Sequence, residues 1–375
     1  MIEDFRALVA NRYKNAQAEK DKGRKIIGWT CNYVPEEVIY AAGMLPWRLL
    51  GGKESYAAAD TYLYTSCCSF VKSCLADGLA NNLDFLDGYV TSNTCDFIRR
   101  LYDVWSEYLV DKTPFVRMLS VPFKKTEAAL DLYKNEIVQF KQDVETFFDI
   151  KITNESLRDA IEIYNETRVL LNKLYSIRKK DPVLISGADV MDVVAAAMVS
   201  DRKEYNKLLK EFLATIEDRE ASYSGRIRLM ILGSALGDSE YIKMIEDLGG
   251  LVVIDDLCMG RRYFWGLVEE HEDPLEALAK RYLLNAYCPR MAPYSDRVKV
   301  LEELSEEFKI DGVIYETIKF CEAHGVRFPL YETVFKKLDK PVLKLDREHT
   351  LSGTGQMKTR IEAFFESMGG LDGSS

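Results

Sequence analysis

The sequence predicts an α/β protein: two parallel-sheet units joined by a helical segment. Three observations carry that prediction. Short apolar runs alternate with helical patterns through residues 1–123. Between residues 124 and 225 the alternation gives way to long helical patterns with few Gly or Pro. From Arg226 it resumes, so three segments are expected, at 1–123, 124–225 and 226–375.

The opening "MIEDFRALVANRYKNAQAEKDKGRK" is charged and helical, unlike a secretory signal. "KIIGWT" is a first strand. "PEEVIYAAG" follows with Pro35, Glu36 and Glu37 suited to a helical first turn and Gly43 as its stop. "LPWRLLG" is a second strand, "SFVKSCLADGLAN" a helix, and "LDGYVTSN" a third strand that runs into a helix from Asp96. "PFVRMLSVP" closes the first unit. This is βαβ grammar, which implies a parallel sheet. In the middle segment, "ESLRDAIEIYNETRVLLNKLYSIRKK" repeats apolar residues every three or four positions, the mark of an amphipathic helix. The last segment offers strands at "RIRLMILG", "GLVVIDD", "IDGVIYETI" and "PVLKLD", then the helix "GQMKTRIEAFFESM".

An apolar content of 47% beside 29% charged residues is that of an ordinary globular protein. The formal charge of −10 excludes general nucleic-acid binding, which needs a basic face. No apolar run reaches the roughly 18–20 residues that cross a bilayer, so no membrane association is expected and the cytoplasm is the expected location. In that compartment the eight cysteines (Cys31, Cys67, Cys68, Cys74, Cys95, Cys258, Cys288, Cys321) stay reduced. No CxxC pair exists, and the only histidines are His271, His324 and His349, so any metal would be held mainly by thiolates.

Ligands of open parallel sheets bind beyond the carboxyl ends of the strands. Cys95 follows "GYVTSNT" and Cys321 follows "GVIYETIKF", both in that zone. Cys67 and Cys68 precede a helix, whose N-terminus favours thiolate. Three such thiolates can hold one cubane iron–sulfur cluster and leave one iron free of protein sulfur, able to act as a Lewis acid. The other role open to these cysteines is as small buried apolar side chains.

Four stretches, "GWTCNYVPEEVIYAAGMLPWRLLGG", "CSFVKSCLADGLANNLDFLDGYVTSNTCD", "DGVIYETIKFCEAHGVRFPL" and "GQMKTRIEAFFE", resemble the family of 2-hydroxyacyl-CoA dehydratase and benzoyl-CoA reductase subunits. The resemblance spans nearly the whole chain with the blocks in family order. It implies two flavodoxin-like (Rossmann-like) domains and a [4Fe-4S] cluster with one non-cysteine-ligated iron. The ligands implied are Cys68, Cys95 and Cys321, with Cys67 as the alternate to its neighbour. It also implies a separate ATP-dependent iron–sulfur activator, because no GxxxxGK[ST] motif stands in this chain. In the dehydratases, the delivered electron makes a ketyl radical anion of an acyl-CoA thioester and expels the hydroxyl. That would make the chain a lyase and the smaller, β-type partner of a heterodimer with a homologous subunit. Reductase relatives put the electron into an aromatic acyl-CoA, an oxidoreductase activity. Others are homodimers with an [8Fe-9S] double cubane that reduce small molecules, for which Cys31, Cys67, Cys258 and Cys288 offer further donors.

Other residues have two readings. Glu36 and Glu37 either complement a helix dipole or approach the cluster, Glu37 being a catalytic candidate. His324 is the other catalytic candidate or else structural. Ser92, Asn93 and Thr94 can hydrogen-bond cluster sulfurs. Gln356, Lys358 and Arg360 either stabilise the last helix or bind CoA phosphates. The "GSALGD" loop is a weak mononucleotide candidate.

Overall fold

The computed structural model describes residues 1–53, 55–216, 223–285, 288–351 and 353–369. Among the described residues, eight strands form two four-stranded sheets. The first holds β1 (Ile26–Trp29), β2 (Leu45–Arg48), β3 (Gly88–Ser92) and β4 (Phe115–Leu119), in the order β2-β1-β3-β4. The second holds β5 (Ile227–Gly233), β6 (Gly250–Asp256), β7 (Gly312–Ile318) and β8 (Val342–Arg347), in the order β6-β5-β7-β8. Every pairing is parallel. The two orders are the same pattern, the flavodoxin-like one, in which strand order reverses between the first and third strands.

Sequence explains the parallel form. β1, β2, β3, β6 and β7 are buried at every position, as strands covered by helices on both faces must be. Trp29, Trp47 and Trp105 fill the first core, where Tyr89 stacks on Trp105 with centroids 4.5 Å apart. In the second sheet Gly233 has φ +154° and lies so close to β7 that an added Cβ would stand 1.8 Å from the Glu316 carbonyl oxygen.

Between the sheets in sequence run four helices, Glu127–Phe148, Asn154–Ile177, Gly187–Ala197 and Arg202–Ile216; residues 217–222 of the predicted helical segment lie outside the described residues. Thr126, Thr153 and Ser186 cap the first three by accepting hydrogen bonds from first-turn N–H groups. Gly187–Ala197 ("GADVMDVVAAA") is apolar nearly all round and therefore buried. It packs between the N-terminal helix Ile2–Ala10 and the helix Ser239–Asp247 of the second unit. The helical segment also reaches the first unit through ions: Glu36 pairs with Arg202 at 3.1 Å and Glu37 with Arg168, all four side chains buried.

Candidate functional site

The carboxyl ends of the reversal-point strands of both sheets converge on one cavity of about 140 Å³, roughly ten times what a single water needs. Six of the eight cysteines line it: Cys31, Cys68, Cys95, Cys258, Cys288 and Cys321. The topology explains the gathering. Cys31 follows β1, Cys95 follows β3, Cys258 follows β6 and Cys321 follows β7. Strand ends are where an open parallel sheet presents its loops to a ligand.

Cys68, Cys95 and Cys321 share a second feature: each is the N-cap residue of a helix, Ser69–Leu79, Asp96–Tyr108 and Glu322–Gly325 respectively. The Ile98 N–H donates to Cys95 Sγ at 3.4 Å. The same three face an outer basin of about 730 Å³, the size of a small-ligand cleft. Phe97, Phe123 and Val326 give it apolar walls, and Arg99, Arg290 and Arg327 a basic rim. Cys31, Cys258 and Cys288 line the cavity but not the basin, so the sulfurs divide into an outer and an inner trio.

A helix start favours thiolate, and burial here reverses that preference. The hydrogen bond to Cys67 and burial push Cys68 well above a thiol's ordinary range; burial, then the neighbouring Cys68, does the same to Cys95. Cys321 is pushed up to about 12, mainly by burial. First-turn N–H groups pull all three down by less. Without a cationic partner these groups are thiols, and a bound metal is what would hold them as thiolates. Among the described residues no three His, Cys, Asp or Glu side chains converge tightly enough for a single metal ion. A cubane is less demanding, because each thiolate meets its own iron and the donors stand further apart. A sulfur-rich cavity with three donors at helix N-termini, and with Arg48, Arg262 and His324 also in its wall, fits such a group.

The remaining candidates separate. Cys67 and Cys74 are buried in the core and do not line the cavity. His324 does line it, its imidazole kept neutral by burial and by Arg262 and Arg297; the Tyr315 hydroxyl donates to its carbonyl at 2.7 Å. Thr94 Oγ1 lies 3.0 Å from Cys31 Sγ, whereas the Asn93 side chain accepts from the Val121 N–H. Glu37 is outside the lining, held by Arg168 and by the Tyr282 hydroxyl at 2.7 Å. Burial raises its pKa, but Arg168 and Arg281 outweigh that and keep it below a carboxylate's usual value. Gln356, Lys358 and Arg360 are exposed on the last helix, away from the cavity. In the "GSALGD" loop, Ser234 and Ala235 join the lining. Arg48 and Arg262, also in the lining, escape sequence reasoning; the one signal for Arg48 is its place at the carboxyl end of a parallel strand.

A family model described as "2-hydroxyglutaryl-CoA dehydratase, D-component" matches residues 31–368. The chain belongs to this family. It is 26% identical to the (R)-phenyllactyl-CoA dehydratase beta subunit of Clostridium sporogenes, over 97% of this chain and 98% of that one. It is 30% identical to one of the benzoyl-CoA reductase subunits of Thauera aromatica, over 88% and 86% of the two chains. Identity to the putative dehydratase subunit YjiM of Escherichia coli K12 is 29%, over 93% of each. Family members thus include dehydratases and a reductase, and several are named as subunits of larger enzymes. No described helix is long and apolar enough to cross a membrane.

Proposed function

We propose that this chain is the iron–sulfur catalytic subunit of a 2-hydroxyacyl-CoA dehydratase, removing water from its substrate by way of a ketyl radical. The observation that carries the proposal is the outer trio: Cys68, Cys95 and Cys321, each capping a helix, at the junction of a sulfur-lined cavity and an open basin. In this reading the three hold a [4Fe-4S] cluster. When bound, it supplies a low-potential electron and a Lewis-acidic corner for the departing hydroxyl. The basin admits the acyl-CoA: its apolar wall suits the acyl group, and Arg99, Arg290 and Arg327 suit phosphates. Arg327 is itself set by its stack on Tyr294, 3.5 Å from the ring centre. A homologous partner and an ATP-dependent activator complete the enzyme.

Anaerobic reconstitution with iron and sulfide is expected to give a brown protein with about four irons per chain. Dehydration of a 2-hydroxyacyl-CoA is expected only with the partner subunit, an activator, ATP and a strong reductant. A colourless preparation would remove the cluster from the proposal; turnover by this chain alone in air would remove the mechanism.

A second reading has its own support. The inner trio puts six sulfurs on one cavity, the donor number of an [8Fe-9S] double cubane and of a homodimeric small-molecule reductase. About eight irons per chain would decide for it.

A further inference from the structure

Arg178, Arg281 and Arg48 are all buried arginines with no ion pair among the described residues, and of the three only Arg48 lines the cysteine cavity. It closes β2, lines the cysteine cavity and is only 2% exposed. Among the described residues its side-chain hydrogen bonds come from Nη1: to the Asn32 Oδ1 at 2.8 Å, the Cys258 carbonyl at 3.0 Å and the Met198 sulfur at 3.5 Å. Its Nε is buried without a hydrogen-bond partner, and its guanidinium lies over the Trp29 ring at 4.7 Å. Among the described residues no carboxylate pairs with it. The other deeply buried arginine of the lining differs: Arg262 has Asp256 at 3.7 Å. A buried, uncompensated guanidinium is costly, and native proteins pair such a charge or neutralise it. Arginine does not lose its proton. The cavity it lines is open to a compensating anion, and the groups that share it include six cysteines, apolar side chains and the polar Arg262, Arg290 and His324.

We propose that Arg48 is a positioning residue that supplies the fixed positive charge for an anionic sulfur-ligated cofactor and thereby sets its reduction potential. The inference rests on the cluster reading above. Adding an electron makes the cofactor more negative, so a buried cation beside it favours the reduced form. Asn32 and the Cys258 carbonyl hold that cation in place by neutral dipoles, which leave its charge uncancelled.

The test is an EPR-monitored redox titration of the anaerobically reconstituted full chain, with iron and sulfide assayed on the same samples. Three variants are compared with the parent: Arg48→Gln, Arg48→Lys and Asn32→Asp. One unit charge at a separation on the order of 10 Å, with an effective dielectric of ~20, changes an equilibrium about tenfold. Arg48→Gln is therefore expected to make reduction about tenfold less favourable, a downward move of ~59 mV for one electron. Arg48→Lys keeps the charge and is expected to restore most of the difference. Asn32→Asp gives Arg48 the carboxylate it lacks, leaves Arg48 in place and is expected to shift the potential the same way. If Arg48→Gln does not fold, Asn32→Asp still decides. Full iron with an unchanged potential in either charge-altering variant overturns the role of Arg48 and leaves the cluster reading intact. Absence of iron from the parent after reconstitution overturns the cluster reading, and the Arg48 proposal with it.

Discussion

Replacing Arg168 with methionine tests whether Glu37 serves architecture or chemistry. Glu37 is fully buried at the start of the helix Glu36–Ala41, and Arg168 reaches it from the helix Asn154–Ile177. Removing one member of a buried pair strands the other charge and costs about 3–5 kcal/mol. Tyr282 still donates to the carboxylate and Arg281 still acts on it, so the lower end, about 3 kcal/mol, applies. For the 375-residue chain unfolding as one unit, with an unfolding entropy of ~2.1 cal/mol/K per residue, that is a fall in melting temperature of about 4 °C. The pH dependence carries a second signature. In the parent, Glu37 lies below its usual value, so its contribution is complete above pH ~4.3 and is lost as pH falls through the lower folded value. Without Arg168, burial dominates and the folded state takes up a proton more readily. The deficit of Arg168→Met is therefore largest near neutrality and narrows toward pH 5. Scanning calorimetry from pH 5 to 7.5 measures both, and Arg168→Met/Glu37→Gln should recover part of the loss. A parent-like melting temperature, or a deficit that ignores pH, refutes the reasoning. Loss of activity in Glu37→Gln with unchanged melting would assign Glu37 to chemistry.

Cys68→Ser, Cys95→Ser and Cys321→Ser are each expected to lose iron on reconstitution while Cys67→Ser and Cys74→Ser keep it; equal loss from Cys74→Ser would show that the trio is not special. Cys31→Ser, Cys258→Ser and Cys288→Ser are expected to keep the iron content of the parent under the single-cubane reading, and a loss of about half their iron would favour the double cubane. Gly233→Ala is expected to cost at least ~3 kcal/mol, because its Cβ would drive β5 from β7; an unchanged denaturation midpoint would contradict that contact. Burial, aided by Arg347, lowers His349 to about 4. Between pH 4 and 6.5 the unfolded imidazole takes a proton that the folded one refuses, so stability rises with pH across that window by about 3 kcal/mol. His349→Gln should flatten that rise, and an identical pH profile in parent and variant would count against it.

The sheets are legible because a strand covered on both faces must be apolar throughout, and each such run stands between turn residues. "GYVTS" and "GVIYETI" show this plainly. β2 stops at Arg48, short of the apolar "LLG" that follows. Cys95 and Cys321 are legible for the same reason, since strand ends mark where loops meet. Hidden is whatever depends on distance in the chain. Glu37 looks like a helix-start acid until Arg168, 131 residues away, is beside it. A strand-ending arginine such as Arg48 looks solvent-bound until the second sheet covers it. The short helix after Cys321 has no periodicity to detect, as "EAHG" spans only four residues. The thiol shifts take the opposite sign to the one a helix start suggests, because that start is visible in sequence and the depth of burial is not.

Two donors of the outer trio belong to the first half of the chain, and the third emerges from the ribosome only after most of the polypeptide has been made. A nascent chain can fold its first sheet and still be unable to accept a cofactor that needs all three sulfurs. In the cluster reading proposed above, loading would wait until Cys321 has left the ribosome. A cluster so held would also brace the two sheet units together, and a product lacking Cys321 could not form that brace.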